Sequence, residues 1–177
     1  MHRLFAALPL PPDITDTLLD TMDGIEGARW QSEEQLHVTL RFAGELDPRQ
    51  GEDLVTALSR VESPAFDLEL RGVGHFERKG RPHTLWAGIA PSEPLAVLQR
   101  RVERACRAAG LRPETRKFVP HVTLARLNSG SGPIGAWLAD NALLTAGPWR
   151  VDGFALYESR LTPYGADYER LEDFAFD

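Results

Sequence analysis

With a single cysteine, Cys106, the 177-residue chain can form no internal disulfide, and nothing in it asks for an oxidising compartment. It has no positive excess either. The formal net charge of −6 excludes tracking along extended duplex nucleic acid, which needs a broad basic face, but leaves room for a small anionic group or one end of an oligonucleotide. Long apolar runs are absent: none approaches the roughly 18 residues of a membrane span. The opening MHRLFAALPLPP has one Arg ahead of a short apolar run, but two prolines and Asp13 stop that run and no small-residue cleavage site follows. A buried first strand is expected there, in a cytoplasmic protein. No Gly-rich phosphate fingerprint occurs. What the chain does have is 42% hydrophobic residues over a length that suits one compact domain or two fused halves.

Residues 2 to 8 read as a strand, and PPDITDTLLDTM follows as a helix with Ile14, Leu18 and Met22 at helical spacing. LHVTLRFAGEL is a strand. The helix after it is capped by Asp47, opened by Pro48 and striped by Leu54, Val55, Leu58 and Val61. AFDLELRGVGHF and TLWAGIA form an antiparallel hairpin about the polar turn ERKGRPH. Ser92 caps, Pro94 opens and Gly110 stops a third helix, with Leu95, Leu98, Val102 and Ala105 on one stripe. Beyond PHVTLAR come the loop NSGSGP, a short helical segment around Trp137 and Leu138, and strands in WRVDGFALYES and YERLEDFAFD. This alternation predicts an α+β fold with largely antiparallel sheets.

The tetrapeptide HVTL occurs twice, at His37 and at His121, almost half the chain apart. By composition, about 0.3 cases of His followed two places later by Thr are expected. Strand alternation puts His37, Thr39 and Arg41 on one face, with Val38, Leu40 and Phe42 on the other, and treats His121 and Thr123 likewise. If the halves are related by an approximate two-fold axis, both polar faces converge on one cleft. Paired imidazoles suit phosphoester chemistry near neutral pH, because one can take a proton from an attacking hydroxyl or water while the other gives one to the leaving oxygen. A Thr hydroxyl can donate to a phosphoryl oxygen. A metal site is the natural competitor for two histidines, but neither strand offers a carboxylate or third His at ligand spacing, and Thr is a poor ligand. The residues therefore point to metal-free catalysis without a cofactor. They do not by themselves say which imidazole gives the proton.

These residues resemble the two-histidine (2H) phosphoesterases, whose signature is a pair of His-x-Thr-x motifs, one in each half. Within that group the chain is similar to the RNA 2′,3′-cyclic phosphodiesterases, also called 2′-5′ RNA ligases, through RLFAALPLP, LHVTLRFAGEL, RPHTLWAGI, FVPHVTLAR, FALYESRL and GADYERL. The resemblance implies a bilobal α+β fold: two antiparallel sheets facing a central cleft, helices outside, and residues 1 to 177 as one domain of two intimately packed lobes with one motif each. It implies metal-free opening of a terminal 2′,3′-cyclic phosphate to a 2′-phosphomonoester, with His37 as proton donor, His121 as acceptor, and 2′-5′ ligation as the reverse reaction. The partners implied are RNA ends or small cyclic nucleotide phosphates; the protein is expected to be a monomer. The second motif of the family often extends to an Arg five places beyond the His, here Arg126, which has the wrong parity for the His face unless the strand bulges. Arg41 has the right parity, about 13 Å along the strand from His37, where it could meet the next nucleotide. Phe42 and Tyr157 are further candidates for holding a base.

Other residues read as structural. Adjacent His83 and Thr84 face opposite sides of a strand, which makes them a decoy of the motif. Cys106 reads as packing, Trp30, Trp86, Trp137 and Trp149 as core or edge residues, and RRVER from 100 to 104 as a solvated helix face. Two rival functions remain open: a cyclic phosphodiesterase of small nucleotides, and a nucleotide-binding domain without catalysis.

Overall fold

The computed structural model describes every residue from Met1 to Asp177. Its elements run β1 (His2–Pro9), α1 (Pro12–Leu19), β2 (Arg29–Trp30), a 3-10 turn at Glu33–Gln35, β3 (His37–Leu46), α2 (Pro48–Leu58), β4 (Phe66–Arg78), β5 (Arg81–Ile89), α3 (Glu93–Ala108), β6 (His121–Arg126), α4 (Gly135–Asp140), β7 (Thr145–Val151), β8 (Gly153–Thr162) and β9 (Gly165–Ala175). The helix starts obey local chemistry. Asp47 accepts from the Gln50 amide while the Gln50 side chain accepts from the Asp47 amide, and Ser92 accepts from the amide of Leu95. No helix is long and apolar enough to cross a membrane.

Two features escape the pattern. The strand β2 is only two residues long, below the reach of periodicity. The stretch WRVDGFALYES is not one strand: the chain turns at Asp152, sending β7 to pair with β4 and β8 to pair with β1. Alternation continues on both sides of that corner, so the sequence reads straight through it.

The strand order is β7-β4-β5-β6-β3-β1-β8-β9, with β2 on β6, and every pairing is antiparallel. The expected two sheets are thus two halves of one nine-stranded sheet, β3-β1-β8-β9 on one side and β7-β4-β5-β6 with the short β2 on the other. They join through a single residue pair, Val38 with Val122. Helices reinforce this narrow seam on the rear face. The helix α1 packs against β7 of the opposite half, and α3 packs against β3 and α2. Leu54, Leu58, Leu95, Leu98 and Val102 of the helices join Val38, Leu40, Val122 and Leu124 in one apolar cluster.

Both motif strands bulge at the same place. Where β1 advances one residue, from Ala7 to Ala6, β3 advances two, from Thr39 to Arg41; likewise β5 goes from Trp86 to Leu85 while β6 goes from Thr123 to Ala125. Leu40 and Arg41 therefore both face the helices, as do Leu124 and Ala125, and all four are buried. This corrects the reading of Arg41. Strict alternation would put its guanidinium in the cleft, whereas the bulge sends it to the rear, where it donates to Glu103 of α3 at 2.7 Å and to the carbonyls of Phe42 and Arg112. Glu103 is corrected with it: inside the supposedly solvated RRVER run its side chain is only 12% exposed, against 6% for Arg41.

A buried ion pair broken on one side leaves an uncompensated charge. Glu103→Ala should lower the unfolding free energy by about 3 kcal/mol, and Arg41→Met combined with Glu103→Leu should restore most of it. Urea denaturation measures both. A Glu103→Ala variant as stable as the wild type would show that the pair adds nothing.

Candidate active site

The seam pair fixes the site. With Val38 opposite Val122, extending the register one residue either way sets His37 beside Thr123 and Thr39 beside His121. The two histidines are then diagonal neighbours on one face, a relation that in an antiparallel ladder puts residues about 7 to 8 Å apart and their Cβ atoms somewhat closer. The valines between them point to the rear and are fully buried.

Each imidazole is held in the same way. The Nδ1 of His37 lies 2.8 Å from the Gln35 carbonyl, and the Nδ1 of His121 lies 2.6 Å from the Val119 carbonyl, in both cases two residues upstream. A carbonyl only accepts, so Nδ1 carries the proton and Nε2 is the working nitrogen of both rings. The Nε2 of His37 sits 2.9 Å from the Thr39 hydroxyl, while that of His121 has no protein partner.

The two rings differ in their surroundings. His37 lies among Phe5, Tyr157 and Tyr168, with ring centroids at 4.9, 6.3 and 5.5 Å. His121 meets the edge of Phe76 at 4.9 Å and Trp86 at 6.3 Å. Burial lowers the His37 pKa to about 4, with His121 and Arg126 adding to the effect against the Gln35 hydrogen bond. Burial, followed by Arg126, also lowers that of His121. Both rings are therefore neutral near pH 7 in the unliganded site.

The bulge that removes Arg41 restores Arg126. Skipping one residue at Leu124 and Ala125 returns Arg126 to the histidine face, where its guanidinium donates to the Thr84 hydroxyl at 3.1 Å. Its counterpart in the first motif is Phe42, which is 38% exposed and lies beneath the guanidinium of Arg3, 5.2 Å from its ring. The chemistry is asymmetric: a cation on one side, an aromatic on the other. Tyr157 stacks on Phe5 at 5.2 Å and reaches the His37 ring environment. Of the residues singled out in the sequence, His37, Thr39, His121, Thr123, Arg126, Phe42 and Tyr157 share the histidine face, and Arg41 does not.

Sequence reasoning missed Thr84, Phe5, Tyr168, Phe76 and Trp86. Thr84 is opposite Arg126 on β5, and His83 bends back so that its Nδ1 lies 2.7 Å from the Thr84 hydroxyl. The supposed decoy thus supplies the anchor of Arg126. Trp86 lies over Gly74, where any Cβ would strike the indole. The Phe5 and Tyr157 parities were readable from alternation, but their convergence on His37 depends on the β1–β8 pairing. Cys106 stays outside the site, buried, its thiol pKa pushed up to about 11. No group of three or more His, Cys, Asp or Glu side chains gathers to hold a metal ion.

The sequence profile of the 2′-5′ RNA ligase superfamily matches residues 12–162. The chain belongs to that family. The RNA 2′,3′-cyclic phosphodiesterase of Thermotoga maritima is 32% identical over 85% of this chain and 81% of its own. The superfamily fold is equally evident in solved structures: TT0787 of Thermus thermophilus superposes with a TM-score of 0.82 at 28% identity, covering 98% of this chain and 97% of that one. LigT of Escherichia coli, crystallised in apo form and also with 3′-AMP, superposes with a TM-score of 0.78 at 25% identity, covering 99% of this chain and 97% of its own.

Because its pKa is depressed from 6.5 to about 4, His37 binds fewer protons folded than unfolded between those values. The associated stability is fully present above pH 6.5 and is lost as the pH falls toward 4. Unfolding free energies measured across this window should decline with acidification, and His37→Asn should flatten the slope. An unchanged slope in that variant would contradict the burial of the ring.

Proposed function

We propose that this enzyme hydrolyses the 2′,3′-cyclic phosphate at the end of an RNA strand to a 2′-phosphomonoester, without a metal, using His37 and His121 as proton donor and acceptor. The observation that carries this reading is the seam register, which sets two identically tethered imidazoles and two Thr hydroxyls on one face. Family membership and relatives named RNA 2′,3′-cyclic phosphodiesterase support the substrate. We place the activity in a single monomeric domain of two lobes in the cytoplasm, in keeping with its one buried cysteine.

In the mechanism, water attacks phosphorus as the open Nε2 of His121 removes its proton. The P–O3′ bond breaks and His37 protonates O3′, which leaves the phosphate on O2′. His37 is neutral in the empty site; the bound phosphodiester anion beside it favours the imidazolium, which supplies the proton required. Thr39 and Thr123 donate to the non-bridging oxygens, and Arg126 adds a fixed positive charge where negative charge builds. Arg126, held on Thr84, is thus preorganised for binding. Phe42 and Tyr157 flank the site as surfaces for the terminal base.

His37→Ala and His121→Ala should each reduce kcat roughly 10² to 10⁴-fold on an oligonucleotide 2′,3′-cyclic phosphate, and excess chelator should leave wild-type turnover intact. A substrate with sulfur in place of O3′ has a thiolate leaving group that needs no proton. It should rescue His37→Ala and not His121→Ala. Rescue of His121→Ala alone would reverse the two roles, and full activity of either variant on the oxygen substrate would end the proposal. Tight nucleotide binding without turnover in the wild type would favour a binding domain instead.

A further inference from the structure

A cavity of about 830 Å³ opens beyond the site, between the tip of the β4–β5 hairpin and the loop that follows β6. Arg78, Lys79, Arg81 and His83 line one wall, and Asn128 and Ser129 lie on the other. No carboxylate lines it. In a chain with a net charge of −6, three cations gather on this wall and none of them is neutralised by an ion pair.

The cavity wall is linked to the catalytic face by hydrogen bonds through Thr84. Arg126 donates to the Thr84 hydroxyl, His83 touches the same hydroxyl, and His83 is part of the cavity wall. Burial, Arg78 and Arg126 together lower the His83 pKa, so the positive field of this wall reaches the ring. The backbone adds a second sign. With Arg78 opposite Arg81, the hairpin turn is the two residues Lys79 and Gly80, both at positive φ, 54° and 75°. Such a turn favours Asn, Asp or Gly at its first position and disfavours a Lys there. The chain keeps a cation at a position where conformation selects against it.

A 2′,3′-cyclic phosphate closes the 3′ end of a strand, so the remaining nucleotides can leave the site only through the 5′ oxygen of the terminal ribose. We propose that the Arg78–Lys79–Arg81 cavity holds the phosphodiester backbone of the nucleotides on the 5′ side of the cyclic phosphate, which makes an RNA strand, rather than a free mononucleotide, the preferred substrate. This rests on the cyclic-phosphate reading given above. Because backbone phosphates carry no sequence information, the cavity confers a preference for length and not for base identity.

The test compares a short RNA ending in a 2′,3′-cyclic phosphate with a 2′,3′-cyclic mononucleotide, on the wild type and on a variant carrying Arg78→Gln, Lys79→Asn and Arg81→Gln. Asn suits the turn, so the hairpin is kept. For the wild type, the KM for the RNA should be the lower and should rise with salt, with a logarithmic slope of about 0.7 per phosphate contacted. In the variant the KM for the RNA should rise tenfold or more and its salt slope should flatten, while the KM for the mononucleotide moves less than twofold. Equal RNA KM values and equal salt slopes in the two proteins would overturn the inference. If the wild type turns over neither substrate, the catalytic reading fails by itself, and fluorescence anisotropy with a single-stranded RNA ending in a 2′-phosphate decides the cavity: binding lost in the variant supports it, binding unchanged refutes it.

Discussion

One residue pair, Val38 with Val122, is the constraint from which the rest of the site follows. Neither side chain reaches the cleft. By pairing two antiparallel strands at matched positions of a repeated motif, they fix the diagonal of imidazoles and hydroxyls on the opposite face, and they bury themselves among the helices behind it. Because the two halves touch through so narrow a seam, the helices that cross it, α1 onto β7 and α3 onto β3, contribute much of what holds the halves in register. Catalytic geometry and core packing are two faces of the same short ladder.

The matched bulges are the second determinant. Each motif strand takes one extra residue just after its Thr, and that single insertion decides which of two arginines reaches the site. Arg41 is turned into the rear to pair with Glu103; Arg126 is turned forward to Thr84. The same device therefore supplies a structural ion pair in one half and a cleft cation in the other. Such asymmetry within a repeated frame gives the two histidines different neighbours, aromatic rings crowding His37 and an unobstructed Nε2 on His121.

Much of this was legible in the sequence. The helices after Asp47 and Ser92 begin where their caps and prolines place them, and the two HVTL strands carry their polar and apolar faces as alternation requires. Arg126 was legible only as a conditional, since its parity depends on a bulge that leaves no local signal in LAR. Arg41 misled for the same reason. The corner at Asp152 and the strand at Arg29–Trp30 escaped because long-range pairing, not composition, creates them. Thr84 was dismissed on the sound rule that neighbours on a strand point apart; what the rule omits is that His83 can bend back onto the hydroxyl beside it.

Catalysis turns on two imidazoles acting on one phosphorus atom. A crystal structure of the complex with a non-hydrolysable analogue of a terminal 2′,3′-cyclic phosphate measures this directly. Oxygen atoms of a single phosphoryl group should lie within hydrogen-bond distance, about 2.6 to 3.2 Å, of the Nε2 atoms of both His37 and His121. A phosphoryl group bound to one ring while the other remains out of reach would contradict it.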